Sequence, residues 1–125
     1  MSMAHVYVEA RLRAERSARV RFLVDTGATY GLLPPALARQ IGLKAGRMRE
    51  TVHLANGKTI RVPVALGQLR VDGREVWTKF WIGQCDQPLL GVENLEGLGM
   101  AVDPNTGKVK PTRPWAMRLG GLVGR

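Results

Sequence analysis

The sequence predicts a mainly β domain, a closed or folded barrel carrying one or two short helices. Three observations predict it. Apolar residues recur with a period of two, not 3.6, along most of the chain. Turn-forming residues interrupt these runs at short and regular intervals. The 125 residues suffice for one hydrophobic core but not for two lobes.

Taken in order, Val6, Val8, Ala10 and Leu12 share one face of a first strand, with Tyr7, Glu9, Arg11 and Arg13 opposite. A polar turn at residues 14–18 leads into a second strand, where Val20, Phe22 and Val24 alternate with Arg19, Arg21 and Leu23. Residues 30–33 return to apolar character. Pro34-Pro35 then opens a short helix over Ala36–Ile41, since proline costs little in a first turn, and Gly42 stops it. Val52–Ala55 and Lys58–Val62 flank Asn56-Gly57 and predict a hairpin with a tight primed turn. Ile60, Val62, Val64 and Leu66 continue one apolar face, with Pro63 opposite, at an edge. Asp72-Gly73 joins the next hairpin, whose second strand runs from Val76 to Ile82. A second short helix is expected over Val92–Leu98 and a last hairpin about residues 103–107. Residues 1–110 are therefore assigned to the domain and 111–125 to a tail, whose Trp115, Met117 and Leu119 have the character to pack on it.

Composition bounds the function. With 45% apolar and 23% charged residues the chain has the balance of a folded soluble protein. No apolar run approaches the roughly 18–20 residues of a membrane span, and the first residues do not form a secretory signal, so a cytoplasmic protein without membrane contact is expected. The single cysteine, Cys85, excludes an internal disulfide, and two histidines make no metal cluster, so no cofactor is implied. Cys85, with no cation or histidine nearby in sequence, reads as an inert thiol.

The charge is +9, from 19 cations and 10 acids, and 14 of the cations are Arg. Such an excess suits phosphate binding. A nucleic-acid reader also needs a basic helical stripe, or aromatics interleaved with cations on a sheet. Neither is evident in the sequence. The first arginines alternate with apolar residues, as on a solvated strand face, and Trp77, Phe80 and Trp81 are assigned to core and interface.

The stretch richest in chemistry is Phe22-Leu23-Val24-Asp25-Thr26-Gly27-Ala28. An Asp-Thr-Gly by itself suits a strand-ending turn. Here the preceding strand is apolar, the following residue is small, and Pro88-Leu89-Leu90-Gly91-Val92 comes about 60 residues later, leading into a helix. These residues resemble the retropepsin-like aspartic peptidases, in which an apolar strand, Asp-Thr/Ser-Gly-Ala and a later apolar-apolar-Gly segment surround a flap hairpin. The resemblance spans roughly residues 4–110. Viral members typically have an acidic residue after the Ala and an Arg after the later Gly. This chain has Thr29 and Val92 there, closer to the cellular and prokaryotic members.

The resemblance implies Asp25, Thr26 and Gly27 as the catalytic triplet, with Thr26 bonding across a dimer. Ala28, Thr29, Tyr30, Leu89 and Leu90 would bind substrate or support the loop, and Ala55, Asn56 and Gly57 would form the flap tip. Tyr30 suits a pocket wall or simple packing equally, and His53 a surface or groove. Peptide hydrolysis by this route needs two carboxyls around one water. None of Asp72, Asp86 and Asp103 repeats the motif. The expectation is thus a homodimeric aspartic endopeptidase acting on a peptide or protein substrate. The alternatives are an inactive peptide-binding or dimerisation module of the same fold, and a basic nucleic-acid-binding β-barrel.

Overall fold

The structure, a computed structural model, describes residues 5–54 and 56–115. Nine strands and two helices are present among them: β1 (Tyr7–Arg13), β2 (Ser17–Val24), β3 (Gly31–Leu33), α1 (Pro35–Ile41), β4 (Arg49–His53), β5 (Thr59–Val71), β6 (Arg74–Ile82), β7 (Leu89–Leu90), α2 (Val92–Gly97), β8 (Met100–Asp103) and β9 (Lys108–Pro111). Seven strands form one sheet in the order β1-β2-β7-β3-β6-β5-β4. β1 also pairs with β5, from Arg11 opposite Arg70 to Arg13 opposite Gln68, which closes the sheet into a barrel. β8 and β9 form a separate ribbon. No described helix is long and apolar enough to cross a membrane.

The alternation read in the first two strands is the one the fold uses. Val8, Ala10, Leu12, Val20 and Phe22 are buried, while Arg11, Arg13, Arg19 and Arg21 point outward. Phe22 stacks on Phe80 of β6 at 6.1 Å in the centre of the core. α1 ends where Gly42 takes a φ of 72°, and the Leu43 N–H donates back to the Ala38 carbonyl at 2.8 Å. Two cations serve the helix ends. The Arg16 guanidinium donates to the carbonyls of Gln40 and Arg39 in α1's last turn, and Arg74 donates to those of Leu98 and Gly99 after α2.

Three expectations are corrected. The turn between β4 and β5 is not a two-residue primed turn on Asn56-Gly57. The Leu54 N–H pairs with the Lys58 carbonyl at 2.8 Å, the Gly57 N–H with the Leu54 carbonyl at 3.0 Å, and of Asn56 and Gly57 only Gly57 has a positive φ, 86°. The primed turn occurs instead at Asp72-Gly73, with φ of 50° and 80°. The apolar face from Ile60 to Leu66 also breaks. Val62 and Val64 are buried, but Ile60 is 44% and Leu66 62% exposed, and the buried face switches to Ala65, Leu69 and Val71. Finally Trp77 is not core: it is 60% exposed on the outer wall. Beyond β9 the chain folds back on the end of α2, with the Thr112 N–H on the Gly99 carbonyl at 2.7 Å and Arg74 5.4 Å from the Trp115 ring. Met117 and Leu119 lie outside the described residues.

Candidate active site

β7 is two residues long and lies between β2 and β3, parallel to the first and antiparallel to the second. The loop from β2 to β3, residues 25–30, must therefore pass over the end of β7. Its backbone is tied there at Asp25, Ala28 and Thr29. The Asp25 N–H donates to the Leu90 carbonyl, and the N–H groups of Val92 and Glu93 donate to the carbonyls of Ala28 and Thr29, all at 2.9 Å. Thr29 and Val92, the positions at which the sequence departs from viral members, thus both take part in the main-chain bonds between this loop and the start of α2.

Within the loop the Gly27 N–H donates to the Asp25 carboxylate at 2.9 Å, and the Ala28 N–H to the Asp25 carbonyl at 3.0 Å. This orients the carboxylate while leaving Asp25, Thr26 and Gly27 exposed.

Asn94, fully buried on α2, holds the assembly from behind. Its side-chain oxygen accepts from the Gly31 N–H at 2.6 Å and the Gly91 N–H at 2.9 Å. Its amide donates to the Thr78 hydroxyl at 2.8 Å and the Lys79 carbonyl at 3.0 Å. Gly91 has no room for a side chain, since a Cβ there would lie 2.5 Å from the Thr29 carbonyl oxygen. The sequence reading missed Asn94. Its signal is an amide at the third position after a glycine that begins a helix, where it reaches back to the cap.

Above the loop runs a cleft of about 710 Å³. Asp25, Gly27, Ala28, Thr29, Tyr30 and Leu89 line it with Leu32 and Trp81, and Thr51, Val52, His53, Leu54, Ile60 and Val62 of the β4–β5 hairpin form its other wall. Ile60 and Val62 are thus apolar because they face this cleft. Of the remaining expected residues, Thr26 is exposed beside Asp25, Leu90 is fully buried beneath the loop, and Asn56 and Gly57 are exposed at the hairpin tip without lining the cleft. Ala55 lies outside the described residues. Among the described residues Asp25 is the cleft's only acid.

A second polar group, also missed, joins the hairpin to the barrel. Glu50 of β4 accepts from the Lys79 ammonium at 2.6 Å and the Trp81 indole N–H at 2.7 Å. The Lys79 ammonium lies 4.3 Å from the Tyr30 ring centroid, and Tyr30 meets Trp81 edge-on at 5.7 Å. The hydrogen bond from Lys79, followed by that from Trp81, holds the Glu50 carboxyl below its ordinary range. The same bond to Glu50 pushes Lys79 above its own. Cys85 sits half-buried with its thiol pushed up, first by burial and then by Asp86.

Comparison with known proteins follows the same lines. The family model described as "gag-polyprotein putative aspartyl protease" matches residues 14–97, about two thirds of the chain. A search of curated proteins found no match. Among solved structures, EIAV protease in complex with the inhibitor HBY-793 superposes with a TM-score of 0.62 at 17% identity, covering 77% of this chain and 89% of that one. The retroviral protease-like domain of Ddi1 from Leishmania major gives 0.60 at 17% identity, with 90% and 92% covered. A retropepsin-like aspartic protease from Rickettsia conorii gives 0.57 at 26% identity, with 80% and 77% covered. A strand-borne Asp-Thr-Gly-Ala loop seated on a Leu-Leu-Gly strand, within this fold and this family match, places the chain among the retropepsin-like aspartic proteases of the gag-polyprotein aspartyl protease family.

Proposed function

We propose that the protein is an aspartic endopeptidase that works as a homodimer, with one Asp25 from each copy forming the catalytic pair. One observation carries the reading: a single oriented carboxylate, exposed at the floor of a largely apolar cleft that holds no second acid among the described residues. Half of a two-carboxyl site is present, and a two-fold axis beside Asp25 supplies the other half.

In such a pair the carboxyls lie about 3 Å apart and share one proton, as in aspartic proteases generally. The ionised member takes a proton from a water held between them. That water's oxygen attacks the scissile carbonyl carbon, and the protonated member donates to the carbonyl oxygen. Collapse of the tetrahedral species breaks the C–N bond as the nitrogen takes up a proton. Gly27 admits the substrate backbone close to the carboxylates, and Thr26, exposed next to Asp25, is positioned to bond across the axis. The β4–β5 hairpin closes over an extended peptide, pairing with it as an added strand, and Val52, Ile60, Val62 and Trp81 select apolar side chains.

The test uses a mixture of unstructured apolar peptides. The wild type cleaves it, a statine-type transition-state analogue blocks cleavage, and Asp25→Asn lowers the rate by about a thousandfold or more while the sedimenting mass stays that of a dimer. Undiminished cleavage by Asp25→Asn overturns the assignment.

A further inference from the structure

The outer wall of the barrel carries a second feature with no part in the cleft. Four strands lie side by side there in the order β2-β1-β5-β6, and their registers align outward residues into two rows. Arg11 is the direct partner of both Arg19 and Arg70, and Arg70 in turn faces Glu75. In the adjacent row Arg13 lies between Ser17 and Gln68, and Gln68 faces Trp77. Like charges directly opposite one another in a sheet are destabilising, so three arginines in line are a cost to the fold. Acids relieve only the margins. Glu75 stands 3.7 Å from Arg70 and Glu9 stands 3.9 Å from Arg21, whereas Arg11, Arg13 and Arg19 have no carboxylate within 4.0 Å among the described residues. Arg11 reaches only the Ser17 hydroxyl, at 3.3 Å. Between the rows is a hollow of about 270 Å³. At the end of the second row, next to Gln68, Trp77 is 60% exposed, an expensive place for an indole.

We propose that this wall binds single-stranded nucleic acid, with phosphates on Arg11, Arg13, Arg19 and Arg70 and a base stacked on Trp77. Guanidinium groups take phosphate oxygens in pairs, and neighbouring strands about 4.8 Å apart gather these long side chains on one patch of wall, within reach of successive phosphates. The exposed indole offers a stacking platform that bases buried in a duplex do not reach. The helices, of seven and six residues, are too short to read a major groove. An acidic peptide would satisfy the arginines but leaves Trp77 without a use. The sequence hid this surface because its members come from four segments, and only barrel closure between β1 and β5 brings Arg70 and Trp77 beside Arg11 and Arg13.

The experiment is fluorescence anisotropy of labelled dT20 and rU20 with the full chain, titrated between about 50 and 200 mM salt. Four phosphate contacts predict a log–log slope of about −3 and hence a loss of about fiftyfold across that range. Trp77→Ala weakens binding about tenfold. The double variant Arg11→Gln/Arg13→Gln flattens the slope by about 1.4. Relief of the like-charge row leaves its melting temperature unchanged or raised, which separates lost binding from lost folding. The DNA and RNA arms identify the kind of strand, and binding in either supports the proposal. The proposal is overturned by salt-insensitive binding, by affinity for Trp77→Ala equal to wild type, or by capture of polyglutamate or anionic vesicles but neither oligonucleotide. Peptide cleavage is read in parallel, and because none of these residues lines the cleft the two readings fail separately.

Discussion

Asn94 has no charge and touches no solvent, yet four polar partners depend on its side chain. Asn94→Ala strands the Gly31 and Gly91 N–H groups in the interior and lowers stability by about 2–4 kcal/mol in urea unfolding. A loss under about 0.5 kcal/mol shows that the loop does not need it. Gly91→Ala is steric rather than polar in effect. The added methyl meets the Thr29 carbonyl, so activity falls through displacement of the Asp25 loop even where the variant folds. Cys85, half-buried and with its thiol pushed up, reacts slowly with alkylating agents at neutral pH, as a mass shift over time records. Of these residues the sequence read Cys85 as an inert thiol and Gly91 as part of a motif. Asn94 stayed invisible because its partners lie 3, 15, 16 and 63 positions away.

At the level of elements, the β4–β5 hairpin is fastened at its base by Glu50, through Lys79 and Trp81. The linkage follows from the two directions. A carboxyl held low contributes stability above its ordinary value of 4.5, lost as pH falls through the lower folded value. An ammonium held high contributes stability below its ordinary 10.5, lost as pH rises through the higher folded value. The difference in melting temperature between wild type and Glu50→Gln therefore holds constant from about pH 5 to pH 10 and narrows outside that window. A difference that is flat down to about pH 2 removes the charge from the account. Such partly exposed pairs contribute modestly, about 1 kcal/mol, so the larger effect of Glu50→Gln falls on hairpin position and KM. β1 and β2 were legible because one face of each is covered along its whole length. β5 was not. It begins as a cleft wall and ends in the barrel, so its buried face changes between Val64 and Ala65 although its register with β6 is unbroken.

For the whole molecule, charge opposes assembly. Two copies bring +18 together (9 × 2), and screening reduces that repulsion. Sedimentation equilibrium is expected to show a dimer of 13.7 kDa chains whose dissociation constant falls as salt rises. A monomer at every concentration and salt undoes the paired-carboxyl mechanism. Salt works in the opposite direction on the arginine wall, where it weakens nucleic-acid binding, so the two expectations cannot be produced by one nonspecific effect.

The chain by itself determined whatever depends on neighbours along it. Period-two patterning placed the strands, Gly42 ended the first helix, and Asp25-Thr26-Gly27-Ala28 followed by Leu89-Leu90-Gly91 pointed to the family and to the loop and strand that carry its motif. Tertiary structure alone decided what depends on residues far apart in sequence. Burial of Asn94 unites two loops, Glu50 of β4 finds its partners on β6 at the other side of β5, and closure of β1 on β5 lines up arginines that local alternation describes only as a wet strand face. Periodicity reports which way a side chain points, and register reports what it meets there.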